Sequence, residues 1–158
     1  MVMAIAAIAL DVDGVFTDGG FWLGSDGSEL KRFSFRDVMG VSLGRKAGLR
    51  FALISGEDGP LLDSLARRLG IDEVHGKCRD KGEALRAFAE KESLPLESIC
   101  FMGDDINDLS AMELAGLSAC PADAHPKVKA RAAWVLTCGG GQGAVRELID
   151  RLLEVKHS

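Results

Sequence analysis

An apolar run from Ala4 to Leu10 stops abruptly at Asp11-Val12-Asp13-Gly14. A run without polar alternation reads as a strand buried on both faces, which is the interior position of a parallel sheet covered by helices. Such a strand delivers its first polar residues to the carboxyl edge of the sheet, where open α/β sheets carry their chemistry. Asp11 and Asp13 would share a face only if the strand continued regularly, and Gly14 predicts that the chain turns there instead. Two acids around a small space can hold a divalent cation through oxygen ligands, while one carboxylate attacks and the other moves a proton. Asp-Gly loops also arise for turn reasons alone, so the other strand ends have to decide.

They repeat the pattern. Gly19 to Phe35 carries a Ser25-Asp26-Gly27-Ser28 turn between apolar arms, which predicts a hairpin flap over the acids at about 20–35. A helix opens at Arg36-Asp37 and stops near Gly48. Arg50 to Ile54 is a second buried strand, ending at Ser55-Gly56-Glu57, and Pro60 opens the next helix. Ile71 to Val74 predicts a third strand, before Lys81 at a helix entrance, where a cation opposes the helix dipole and needs another reason to be present. Ser98 to Met102 predicts a fourth, ending in Gly103-Asp104-Asp105-Ile106-Asn107-Asp108. Short strands are expected at Leu117 to Cys120 and Trp134 to Thr137, with a turn at 122–126 between them. A glycine-rich joint at 139–143 leads into a last amphipathic helix, the pair forming a tail at about 139–156. Alternating strands and helices with right-handed crossovers predict an α/β fold, a single Rossmann-like domain over 1–158 with helices on both sheet faces. Acids, a hydroxyl and a lysine would then collect on one sheet edge, a phosphoryl-transfer constellation with an oxygen cage for magnesium and a receptacle for phosphate.

Composition narrows the partners. The formal charge of -5 and the absence of a lysine-arginine block argue against nucleic acid. No apolar stretch approaches ~20 residues, so no membrane span is expected. Four dispersed cysteines without a Cys-x-x-Cys predict reduced thiols in a cytoplasmic protein.

The motifs together resemble the haloacid dehalogenase superfamily of phosphohydrolases. They stand here as Asp11-Val12-Asp13-Gly14-Val15, Ser55 in Ile-Ser-Gly, Lys81 in Asp-Lys-Gly, and Gly103 to Asp108. The resemblance implies Asp11 as nucleophile, Asp13 as general acid and then base, and Ser55, Gly56 and Lys81 as phosphate holders. It implies Mg2+ held by Asp11, the backbone carbonyl of Asp13, and Asp104, with Asp105 or Asp108 either binding the metal or orienting water and Lys81. The short intervals between motifs resemble the capless branch that contains 3-deoxy-D-manno-octulosonate 8-phosphate phosphatase and its nine-carbon sugar-acid relatives, which implies a homotetramer.

Two departures from that branch bear on the sugar. Arg36-Asp37 is followed by Val38-Met39-Gly40, and Ser55-Gly56 is followed by Glu57 where the octulosonate enzymes usually carry arginine. Glu57 would repel a substrate carboxylate unless offset by Arg67 or Arg68, from its own or a neighbouring subunit, and it could instead accept hydrogen bonds from sugar hydroxyls; Glu57, Arg68, Arg36 and Asp37 are the expected specificity residues. By resemblance, Glu57 points to a 2-keto-3-deoxy nine-carbon sugar acid 9-phosphate, with the octulosonate 8-phosphate as the alternative. Three other readings compete. A response-regulator receiver lacks its acceptor aspartate after the third strand, a catalytically idle assembly domain would not need intact acids at every motif, and a phosphomutase would need a cap to exclude water.

Overall fold

In the first strand, β1 (Ala7–Leu10), every residue is buried. Side chains alternate across a strand, so Ile8 and Leu10 enter one hydrophobic layer while Ala7 and Ala9 enter the other. The structure is a computed structural model that describes residues 4–158; the first three residues of the expected 1–158 domain lie outside the described residues. After β1 come the hairpin strands β2 (Trp22–Leu23) and β3 (Glu29–Leu30), then α1 (Phe35–Lys46), β4 (Arg50–Ile54), α2 (Pro60–Leu69), β5 (Glu73–His75) and α3 (Lys81–Lys91). The chain continues through β6 (Ile99–Met102), α4 (Leu109–Leu114), β7 (Leu117–Cys120), α5 (Pro126–Arg131), β8 (Trp134–Val135) and α6 (Ala144–Lys156).

Six strands make one parallel sheet in the order β5-β4-β1-β6-β7-β8, with the β2–β3 hairpin outside it. Ile8 pairs with Phe51 on one side and Cys100 on the other, so β1 is central and the chain winds outward from it in both directions. That is the switch point of a doubly wound sheet, where a crevice opens beyond the carboxyl ends. On one face lie α1, α2 and α6, through Val41, Leu62, Leu65, Val145, Leu148 and Ile149. On the other lie α3, α4 and α5, through Leu85, Phe88, Met112 and Val128. Phe88 is fully buried, and truncating it to alanine would cost about 3–5 kcal/mol.

Several element boundaries differ from expectation. Phe35 begins α1 instead of ending the hairpin, because the alternation of Phe33 and Phe35 imitates a strand while Ser34 takes an extended conformation at the helix N-cap. The third strand starts at Glu73, two residues late, since Gly70 closes α2 in the left-handed region and Ile71 packs into the core as the chain turns. The last strand stops at Val135, because the Thr137 and Cys138 amides turn aside to the Glu147 carboxylate. The turn at 122–126 runs directly into α5, a helix that the sequence reading lacked.

Candidate active site

The four strands that carry the sequence motifs, β5, β4, β1 and β6, are adjacent in the sheet, so their carboxyl ends converge. Asp11 follows β1, with its amide bonded to the Met102 carbonyl. Its Oδ1 accepts from the Val12 amide at 2.7 Å and lies 2.9 Å from Lys81 Nζ. Lys81 is the first residue of α3, placed by the Asp80 side chain, which caps the helix by accepting from the Gly82 and Glu83 amides. Its ammonium is 2% exposed and reaches Asp108 Oδ1 at 2.7 Å. Asp108 in turn accepts from the Asp104 and Asp105 amides through Oδ2, at 2.9 and 3.1 Å. The helix-opposing lysine is therefore the bridge between the ends of β1 and β6.

Close approach of neighbouring side chains explains two glycines of the motifs, Gly14 and Gly103. A Cβ on Gly14, whose φ is +81°, would fall 1.7 Å from Asp104 Oδ2, and one on Gly103 would fall 2.4 Å from the Asp108 Cβ. Either side chain would displace an acid from the cluster.

Carboxylate oxygens of Asp11, Asp104 and Asp108 lie within 4.8 Å of one another. Burial, then the Asp108 charge, raises the Asp11 carboxyl well above the usual range, against the pull of Lys81. Burial also raises Asp104, to about 6. Burial opposes the Lys81 charge, but Asp11 and Asp108 outweigh it and hold the ammonium above the ordinary lysine range. Two buried acids, Asp11 and Asp108, and the half-buried Asp104 thus gather around one cation, and the donor set is all oxygen. This fits a hard divalent ion such as magnesium or calcium. Asp105 is outside the cluster: its side chain caps the 106–108 turn through the Ile106 amide at 2.7 Å.

Ser55 is buried at the end of β4, where its Oγ accepts from the Glu57 amide at 3.1 Å. Gly56 is exposed beside it. A cleft of about 470 Å³ opens beyond these turns, lined by Asp13, Ser55, Glu57 and Asp58 from the sheet edge and by Lys31 and Phe33 from the flap. The Asp13 carboxylate does not join the three acids; its Oδ1 pairs with Lys31 Nζ at 2.8 Å.

The four expected specificity residues do not form one group. Glu57 lines the cleft, and within the chain its counter-ion is Lys31 at 3.2 Å. Arg67 bonds Ser64 within α2, and Arg68 edges a neighbouring recess formed with Phe33, Phe35, Val38 and Leu61. Arg36 is exposed at the start of α1. Asp37 is fully buried and is not among the residues that line the cleft, accepting from the Arg146 amide at 3.0 Å at the start of α6. Within this chain it serves a helix end.

Lys31 escaped the sequence reading. The available clue was its two-residue spacing from Phe33, which puts both on one side of an extended arm.

A family model for haloacid dehalogenase-like hydrolases matches residues 65–148. The 3-deoxy-D-manno-octulosonate 8-phosphate phosphatase of Escherichia coli strain K12 is 38% identical over 149 residues, which are 94% of this chain and 79% of that protein. The crystal structure of the phosphatase of the same name from Yersinia pestis superposes with a TM-score of 0.94 at 35% identity, over 97% of this chain and 83% of that one. Another, from Moraxella catarrhalis and solved with a magnesium ion, a phosphate ion and a KDO molecule, gives 0.92 at 32% identity, over 95% and 86% of the two chains. Identity, coverage and the convergence of the four motifs agree, and the chain belongs to the haloacid dehalogenase-like hydrolases.

Proposed function

We propose that the protein is a magnesium-dependent phosphatase that hydrolyses 3-deoxy-D-manno-octulosonate 8-phosphate. The observation that carries the reading is the buried Asp11–Lys81–Asp108 bridge beside Asp104 at the switch point, in a chain whose relatives are octulosonate phosphatases. Magnesium held by Asp11, Asp104, the Asp13 carbonyl and Asp108 would supply charge neutralisation of the phosphate. Lys81, Ser55 and the Gly56 amide hold phosphate oxygens, which lets the Asp11 carboxylate approach phosphorus despite the negative charge on both. Asp11 forms the new oxygen–phosphorus bond as the sugar oxygen–phosphorus bond breaks, and Asp13 gives its proton to the departing alkoxide. Asp13 then takes a proton from water as that water attacks the aspartyl-phosphate, which releases inorganic phosphate and restores Asp11.

The nine-carbon substrate suggested by Glu57 gives way to the octulosonate 8-phosphate on two grounds. The similar proteins carry the eight-carbon name, and Glu57 is neutralised by Lys31 instead of standing as a free charge. The test measures phosphate release from octulosonate 8-phosphate and from a nine-carbon 2-keto-3-deoxy acid 9-phosphate, with and without magnesium, on the wild type and Asp11→Asn. The wild type is expected to favour the eight-carbon ester by roughly tenfold or more in kcat/KM. Asp11→Asn should fall below about one hundredth of wild type. Preference for the nine-carbon ester would overturn the substrate, and a metal-independent or asparagine-tolerant reaction would overturn the mechanism.

A further inference from the structure

Lys31 ends the returning arm of the hairpin, one residue beyond β3. Its side chain is 8% exposed although its neighbours Leu30 and Arg32 are exposed, so the chain spends this one long side chain inward. Its ammonium reaches two carboxylates at once, Asp13 Oδ1 at 2.8 Å and Glu57 at 3.2 Å. These acids come from the ends of different strands, β1 and β4. Glu57 is further tied to the phosphate-side turn by its amide, which donates to Ser55 Oγ.

Asp13 has no comparable support. Its carboxylate is about one-third exposed, and the Lys31 pair is the one ion pair or side-chain hydrogen bond that reaches it among the described residues. Asp11 and Asp108, by contrast, are each held by a backbone amide as well as by Lys81. The hairpin is equally short of support, since β2 and β3 contribute two residues each and all four are exposed. A two-stranded ribbon of that size is not stable by itself.

We propose that Lys31 is a positioning residue for the leaving-group step: it holds the Asp13 carboxylate at the mouth of the cleft and fastens the hairpin over it. This inference rests on the reading of Asp13 as the acid that protonates the departing sugar. Flap placement and acid placement are then one event, because the same ammonium makes both contacts. Arginine at position 31 keeps the cation and can span two carboxylates, whereas methionine keeps the apolar stem and removes the charge.

The test compares Lys31→Met, Lys31→Arg and Asp13→Asn on two substrates, an alkyl phosphate such as the sugar ester and p-nitrophenyl phosphate, whose leaving group departs without a proton. Misplacing a general acid should cost part of the roughly 10²–10⁴-fold that such catalysis supplies. Lys31→Met is therefore expected to lose roughly tenfold or more in kcat on the alkyl ester and less than about threefold on the nitrophenyl ester. Lys31→Arg should restore most of the alkyl activity. Cleavage by a protease within residues 24–28 should quicken in Lys31→Met and stay slow in Lys31→Arg.

Equal losses on the two esters would mean general damage to the flap and overturn the positioning role. Unchanged alkyl turnover in Lys31→Met would overturn it as well. If Asp13→Asn shows the leaving-group dependence and Lys31→Met does not, this inference fails alone. If Asp13→Asn loses both activities equally, the acid reading fails and takes the inference with it.

Discussion

Single side chains in this site are defined by what opposes them. Asp104, with its carboxyl raised to about 6 mainly by burial, is protonated more readily in the folded protein than in an unfolded chain. The folded state then binds more protons than the unfolded state between the ordinary aspartate value of about 4 and about 6, so metal-free stability should fall as pH rises through that window. A divalent ion needs the carboxylate form and must displace the proton. Magnesium affinity, followed by calorimetry or by the metal-induced rise in Tm, is expected to weaken roughly tenfold per pH unit below 6. Affinity that stays level between pH 5 and 7 would remove Asp104 from the metal site. The acids themselves were legible in the sequence, since each closes an apolar run. Their partners were less so: the Lys81–Asp108 contact, across 27 positions, entered only as one alternative implied by the resemblance, and the Lys31–Glu57 contact, across 26, did not enter at all, because both need a fold that has to exist first.

At the level of elements, strands were easier to read than their connections. Buried parallel strands announce themselves by composition, whereas the ends of β8 and α6 are set by a distant exchange of hydrogen bonds. Glu147 in the first turn of α6 accepts from the Thr137 and Cys138 amides at 3.1 and 2.8 Å and pairs with Arg151. Burial alone would raise its carboxyl, but the amides outweigh burial and bring it to about 2. A depressed carboxylate contributes stability above its unfolded value of about 4.3, and loses it as pH falls toward 2. Glu147→Gln should therefore lower stability at pH 7 by about 1–3 kcal/mol. The gap from wild type should narrow between pH 4 and 2.5; denaturant melts that show a constant gap would contradict the assignment. Asp37 carries the same lesson. The resemblance suggested a role toward substrate for it, while its bond to the Arg146 amide spans 109 residues and leaves no local trace.

Taken whole, the molecule leaves apolar side chains uncovered on both faces of its flap. Trp22, Leu23, Leu30 and Phe35 are each about two-thirds exposed and gather on and beside the flap. Clustered apolar exposure of this kind marks a contact surface, and a tetramer in which flaps meet neighbouring subunits would bury it. Light scattering should report a multiple of the 16.8 kDa chain mass, and Trp22→Lys should reduce it. A wild-type protein that scatters as a monomer at full activity would remove the assembly. At the opposite end of the sequence, the glycine joint before α6 lies against the first motif. The Gly141 amide donates to the Val15 carbonyl at 3.1 Å, and a Cβ on Gly140 would stand 2.0 Å from the Gly14 carbonyl oxygen. The turn that follows Asp11 is thus braced by residues made more than a hundred positions later. On the ribosome, a chain that has emerged only as far as residue 139 carries every motif and still lacks the brace beneath its first one.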